Sequence, residues 1–212
     1  MNISKSLLIL IILNCLVFTK SFAQTNIQSE NDGIAKSENK NSLKNSFFIS
    51  FQYIGLTFHP EGGNTPEIYP LKFDKKAYFV LEVGGVVNMD YYFSNTMFIR
   101  ASVAHYRDCA FVPAGYFHLG FRGTFFHRGK HQINGGIGPT LSYREDWHQF
   151  PEYQGDTYYG DRVKGRWQYR FIIYGGEFEY LYQLNDKVQL QFSVIPGIPI
   201  IVTSKFGVRI RL

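Results

Sequence analysis

The chain has no uninterrupted apolar stretch long enough to cross a bilayer as a helix. Roughly 20 consecutive apolar residues are needed for that, and beyond Ala23 every hydrophobic run is soon broken by Glu, Arg, Asn or Gln. A helical membrane span is thereby excluded. Cysteine is also scarce, with two in 212 residues, Cys15 and Cys109. If Cys15 leaves with an N-terminal signal, no intramolecular disulfide can form, and stability must come from backbone pairing and packing. Charge of one sign is not in large excess either. The formal net charge of +5 falls to +3 once Lys5 and Lys20 are removed with that signal, and the basic residues do not form one cluster. This argues against nucleic acid as a partner.

What is present in quantity is aromatic residues and glycine, with Tyr 15, Phe 20 and Gly 20. The N-terminus reads as a secretory signal: Lys5 gives the positive region, Leu7 to Phe18 the apolar core, and Ser21-Phe22-Ala23 a small-residue cleavage site. Residues 24–45 are polar, rich in Asn, Ser, Glu and Lys, and are expected to form a disordered lead.

From Ser46 onward the pattern is period two, and the last segment shows it best. Val202, Phe206, Val208, Ile210 and Leu212 share one face, while Thr203, Lys205, Arg209 and Arg211 share the other. A soluble strand can carry such a pattern, but behind a secretory signal it is the pattern of a membrane barrel, apolar outward and polar inward. About eight strands of this kind are counted, each near the 9 to 11 residues that cross a tilted path through a membrane. Phe47, Ile49, Phe51 and Tyr53 face outward on the first, with parity blurred after Ile54. Pro139, inside the fifth, requires a bulge, because a closed barrel offers no edge strand to hold it. On the sixth, Ile172, Tyr174, Phe178, Tyr180 and Tyr182 are assigned outward.

The connections at Ser94 to Thr96, His127 to His131 and Leu184 to Asp186 are short, whereas His59 to Lys76 and Glu145 to Arg166 are long. Short periplasmic turns and longer outer loops are the asymmetry of outer-membrane barrels. The expected fold is therefore all-β, a transmembrane antiparallel up-and-down β-barrel of about eight strands over 46–212, after a signal peptide (1–23) and a periplasmic lead (24–45).

An eight-stranded barrel has an interior just wide enough to be filled by side chains. The predicted filling sets Glu82, Asp90, Glu177 and Glu179 against Arg100, Arg122, Arg144, Lys205, Arg209 and Arg211, and Asp90 should meet Arg100. Because narrow barrels are filled as a rule, these pairs are expected to plug the lumen and keep the buried charges paired, with a narrow water path or gate built from the same pairs as the alternative. No catalytic constellation emerges: among His105, Ser142 and His148, with Glu145 and Asp146 as possible orienting acids, Ser142 faces inward and His105 outward. His118, His127 and His131 lack the spacing and cysteine neighbours of a zinc site. No cofactor and no metal are called for. The long loop gathers Trp147, His148, Phe150, Tyr153, Tyr158 and Tyr159 among carboxylates, a composition suited either to a sugar or protein surface or to the lipid headgroup belt.

These features together resemble the small OmpA/OmpX-like outer-membrane β-barrel family. The match is architectural, and the terminal Leu212 departs from the aromatic ending usual there. The resemblance implies residence in the outer membrane of a Gram-negative-type bacterium after cleavage near Ala23. The partners it implies are outer-membrane lipid and lipopolysaccharide, the barrel-assembly machinery, and a surface protein or glycan bound by the loops. A lipid A-modifying enzyme, or a narrow pore for small solutes, is the competing reading.

Overall fold

A computed structural model describes residues 42–154, 159, 163–164, 166–197 and 201–212. The strands are β1 (Ser46–Phe58), β2 (Phe79–Tyr92), β3 (Met97–Arg107), β4 (Pro113–Arg128), β5 (His131–Glu145), β6 (Val163–Lys164), β7 (Trp167–Gln183), β8 (Val188–Gly197) and β9 (Ile201–Arg211). Each long strand pairs antiparallel with its neighbours in sequence, β5 pairs with β7, and β9 pairs back onto β1. Eight strands thus close an up-and-down barrel, and the two-residue β6 is an appendage on the end of β7. The signal segment and its cleavage site lie outside the described residues.

Closure follows from the alternation. Every second side chain must leave the water-suited face, and only a closed wall in lipid leaves no backbone edge unpaired. Phe51, Met89, Val103, Phe117, Leu119, Phe121, Ile137, Phe192 and Phe206 all stand exposed on the outside. On the opposite parity lie Ser50, Gln52, Asn88, Ser102, Asn134, Gln191 and Ser193, all buried although polar. Such a surface suits hydrocarbon outside and a hydrogen-bonded interior.

Where the period slips, the ladder shows why. The β1 register shifts between Ile54 and Leu56, which is the point where parity blurs in the sequence. Pro139 sits where the β5–β7 register shifts between Gly138 and Thr140, so the missing N–H falls at a bulge. That bulge corrects one assignment. Ile172 pairs with Thr140 and lines the interior, while its neighbours Phe171 and Ile173 are 64% and 70% exposed. One extra residue in β7 flips the parity, and period counting from Phe178 backward cannot see it.

The two rims differ. At one, the tight turns use local side-chain bonds: Ser94 Oγ accepts from the Met97 N–H at 3.0 Å, and Asn185 Oδ1 accepts from the Val188 N–H at 2.9 Å. Gly129 takes φ +58° in the third turn, a left-handed conformation that glycine adopts without a Cβ penalty. At the other rim, the long connection 59–78 contributes Tyr69 and Ala77 to a buried cluster with Val80, Ala110 and Trp147. Residues Ser42–Asn45, expected in the disordered lead, instead pack on the short-turn rim. Leu43 rests against Phe48, Tyr92 and Phe98, and the Ser42 carbonyl accepts from Arg211 Nη2 at 2.6 Å.

Candidate functional site

The lumen holds a network of buried charged side chains in its lower half and a cavity in its upper half. In the lower half, Arg100 from β3 forks onto Asp90 of β2, Nε to Oδ1 at 2.7 Å and Nη2 to Oδ2 at 2.8 Å, and its Nη1 reaches Glu179 of β7 at 2.7 Å. Asp90 also holds Arg209 of β9 at 2.7 Å. One step higher, Glu177 receives Arg122 at 2.9 Å, Lys205 at 2.8 Å and Arg100 at 3.5 Å. Asn134 and Gln191 donate to Glu179. Three carboxylates and four cations from five strands therefore form one connected, buried network. Glycine makes room for it. A Cβ at Gly136 would overlap the Phe121 carbonyl oxygen and lie against the Arg122 side chain, so the guanidinium lies where only glycine lets the wall pass.

Beneath the network an aromatic layer lies at the short-turn end. Tyr92 and Phe98 stack with centroids 4.5 Å apart, Phe48 joins them, and the Arg209 guanidinium lies 4.1 Å over the Phe48 ring. These three aromatics were not singled out from the sequence. The signal was available: Phe48 shares parity with Ser50, and Tyr92 with Asp90, so both had to face inward.

Of the ten residues expected in the lumen network, the structure brings together Asp90, Arg100, Arg122, Glu177, Glu179, Lys205 and Arg209, and places three elsewhere. Arg211 lies at the short-turn rim, on Ser46 Oγ at 2.6 Å. Glu82 is buried in the upper half, facing Thr57 and Asp108. Arg144 donates to Gln168 at 2.8 Å and stacks over Trp147 and Tyr159 at 4.4 and 4.1 Å. Strand parity fixes the direction of a side chain but not its height along the barrel, so period counting cannot separate these three from the rest.

The upper half holds a cavity of about 520 Å³. Its floor is Glu177, Arg122, His118 and Thr140, and its roof includes Tyr69, Trp147 and Tyr153 from the long connections. Trp147 is 6% exposed and therefore faces inward, which corrects its expected place on an exposed loop. Its indole N–H donates to Asp108 Oδ2 at 2.7 Å, and Phe150 and Tyr153 pack edge-on against it. Tyr153 shares a hydrogen bond of 3.2 Å with the Tyr69 hydroxyl, whose ionisation burial pushes far upward. His148 lies 3.2 Å from Asp146, and Tyr158 lies outside the described residues.

Two pairings among the described residues bear on nucleophilic chemistry. His105 Nδ1 and the Tyr143 hydroxyl meet on the outside at 3.1 Å, away from inward Ser142. Inside, His118 Nδ1 and Thr140 Oγ1 are 2.7 Å apart, which looks like a hydroxyl and its base. The other ring nitrogen decides against it. His118 Nε2 faces Arg122 Nη2 at 2.9 Å, and a guanidinium only donates, so Nε2 accepts and the proton sits on Nδ1. A protonated Nδ1 donates to Thr140 and cannot take its proton. Among the described residues no group of three or more His, Cys, Asp or Glu side chains is arranged to hold a metal ion.

Asp108 gives the cavity roof a pH dependence. Its Oδ1 accepts from the N–H groups of Ala110 and Val112 at 3.0 and 3.1 Å, yet burial raises its pKa to about 6. An unfolded aspartate titrates near 3.9, so the folded carboxyl is the one with the raised pKa. The associated stability is complete below about pH 4 and is lost as pH rises towards 6, amounting to about 3 kcal/mol. With Trp167 replaced by Phe, the emission of Trp147 should titrate with a midpoint near 6, and Asp108→Asn should abolish that titration. A flat profile in the parent protein would refute the link.

The chain is thus an eight-stranded, closed, up-and-down barrel with a lipid-suited exterior and a polar, partly filled lumen. No protein-family model matches it, and no curated protein matches it. Among solved structures it is similar to the N-terminal β-barrel domain of Pseudomonas aeruginosa OprF, at 11% identity over 80% of this chain and 98% of that one, with a TM-score of 0.44. It is also similar to the outer membrane protein OprG of the same organism, at 11% identity over 80% and 96%, TM-score 0.43. A third likeness is to the Yersinia pestis outer membrane protein Ail in a phospholipid bilayer nanodisc, at 13% identity over 80% and 100%, TM-score 0.43. The fold itself stands on the closed ladder of this chain.

Proposed function

We propose that this protein is an outer-membrane β-barrel that does not conduct and that acts by binding on its long-loop side. The carrying observation is the lumen cross-section. The salt-bridged network joins side chains from five strands above the Phe48, Tyr92 and Phe98 layer, and Arg100, Lys205 and Arg209 are completely shielded from solvent, which supports a sealed lower lumen. Above that seal the barrel is a cup, and a cup with a mixed polar and apolar lining suits a ligand better than a flux. The outer loops add exposed Phe73 and Phe111, which suit contact with a protein or glycan at the cell surface. Lipid and lipopolysaccharide would surround the belt, and the barrel-assembly machinery would insert it.

Purified protein in planar bilayers should give no steady single-channel current. Steady, sizeable currents would replace the binding reading by a pore. The enzyme reading is tested separately: Ser142→Ala should leave the lipid A profile of the host unchanged by mass spectrometry, and an acyl chain gained or lost with Ser142 would overturn the non-enzymatic assignment.

A further inference from the structure

The β2–β3 ladder carries a charged pair at each end of its inner face, and only the lower pair is balanced. Asp90 and Arg100 stand opposite each other in register and form the forked ion pair of the lower lumen. The ladder ends above at Val83↔Arg107, and the same register carried one residue further sets Glu82 opposite Asp108. Both are carboxylates, both line the cavity, and each is only 7% exposed. Like charges placed opposite each other on an antiparallel pair are destabilising.

Glu82 is the exception among the buried acids of the lumen. Asp90, Glu177 and Glu179 each hold a guanidinium or an ammonium at 2.7 to 2.9 Å. Glu82 has no such partner among the described residues: its neighbours are Asp108, Tyr106 and the Thr57 hydroxyl. That hydroxyl also shares a 3.0 Å hydrogen bond with Thr203 Oγ1, and it has one proton to give. Asp108 is better supplied. It accepts from the Ala110 and Val112 N–H groups and from the Trp147 indole, and Arg144 acts on its charge. A carboxylate offers about four lone-pair positions, so Glu82 and Asp108 together keep about four that are not used. A primary ammonium carries three N–H donors, which this set can accept. The same site suits a metal ion poorly, since among the described residues no three acidic, histidine or cysteine side chains converge. The cavity around the two acids is about 520 Å³, with Tyr69 and Trp147 in its roof, and Glu61 and Asn64, exposed on the long connection, line it as well. It is therefore reached from the long-loop side.

We infer that the cup binds a small organic primary amine, with its ammonium between Glu82 and Asp108 and its apolar body beneath the aromatic roof. The ammonium does for the upper pair what Arg100 does for Asp90: it turns a repulsive cross-strand contact into an attractive one. This rests on the reading of the protein as an outer-membrane barrel that binds on its long-loop side, and it names the class of ligand.

The test is isothermal titration calorimetry on the full chain in lipid nanodiscs, with empty nanodiscs as the blank. Three probes share one apolar body: benzylamine, benzyl alcohol, which lacks the charge, and benzyltrimethylammonium, which keeps the charge but has no N–H. Benzylamine should bind once per barrel, at least about tenfold more tightly than either of the others, a difference that one charge-assisted hydrogen-bonded contact supplies. Glu82→Gln keeps the shape of the side chain and should weaken benzylamine by about tenfold or more. Glu82→Lys, which places a tethered ammonium opposite Asp108, should abolish binding. Glu61→Gln, at the exposed mouth of the cavity, should leave the affinity within about twofold. Benzyl alcohol binding as well as the amine, or affinity that survives Glu82→Gln and Glu82→Lys, would overturn the site, and equal binding of benzyltrimethylammonium would overturn its assignment to a primary amine. Heat-modifiable gel migration of each variant keeps the two readings apart. A barrel that shifts normally but takes up no amine refutes the amine site alone, and a parent protein that never shifts refutes the barrel.

Discussion

Glu177→Ala should cost about 3 to 5 kcal/mol of unfolding free energy in lipid vesicles, the range for removing one partner of a buried ion pair. The reason is the number of cations that depend on one carboxylate. Glu177 takes Lys205 at 2.8 Å and Arg122 at 2.9 Å, and it assists Arg100 at 3.5 Å. Arg100 keeps Asp90 and Glu179 when Glu177 is lost, but Lys205 would be left with the Tyr116 hydroxyl at 3.4 Å. Because cations already outnumber carboxylates in the network, deleting an acid worsens an existing excess. Adding Lys205→Met to Glu177→Ala should recover part of the loss, since the stranded charge is then gone. A coupling of about 0.5 to 3 kcal/mol in that double-mutant cycle is the expected size for residues in contact. Urea titration of the four proteins measures it. A cost below about 1 kcal/mol for Glu177→Ala, the worth of an exposed pair, would mean that water reaches the network, and the seal assigned to the lower lumen would fail with it.

The fold was legible in the sequence because a membrane wall enforces its code on every strand. Phe47, Ile49 and Phe51 alternate with Phe48, Ser50 and Gln52 whatever the neighbours are, since lipid lies on one side and the lumen on the other. The bulge at Pro139 was legible as well, because proline has no N–H and a closed wall has no edge. The consequence of the bulge was not: the parity of Ile172 depends on which strand of a pair carries the extra residue, which a single strand does not record. The height of each inward side chain was equally hidden. Arg144 and Arg122 lie on the same face of adjacent strands, yet one stacks on Trp147 in the roof and the other holds Glu177 in the floor. The long loop misled for a related reason. Its aromatic residues are as apolar as those of the belt, and partners outside the loop, Asp108 on the indole N–H, Gln168 on the backbone N–H and Arg144 over the ring, hold Trp147 inside.

Arginine placed on the two faces should separate them by energy, and by depth within one face. Val87, Val103 and Leu119 stand exposed near the middle of β2, β3 and β4, where hydrocarbon surrounds them. Each of Val87→Arg, Val103→Arg and Leu119→Arg should cost about 2 to 4 kcal/mol, the penalty for a cation facing lipid at the midplane. Leu190 also faces out but lies two residues from the start of β8, near the short-turn rim, so Leu190→Arg should cost only about 0 to 1 kcal/mol. For the inward set, a tightly filled lumen would confuse charge with volume, so the substitutions belong where there is space. Ser142 and Thr203 both line the cup. Ser142→Arg and Thr203→Arg should therefore stay within about 1 kcal/mol of the parent, because the guanidinium meets water and hydroxyls instead of lipid. Equilibrium refolding into vesicles reads all six proteins on one scale. Equal costs at Val87 and Ser142 would mean that the faces are reversed, and equal costs at Leu119 and Leu190 would mean that the barrel does not sit in a bilayer at the depth its rims define.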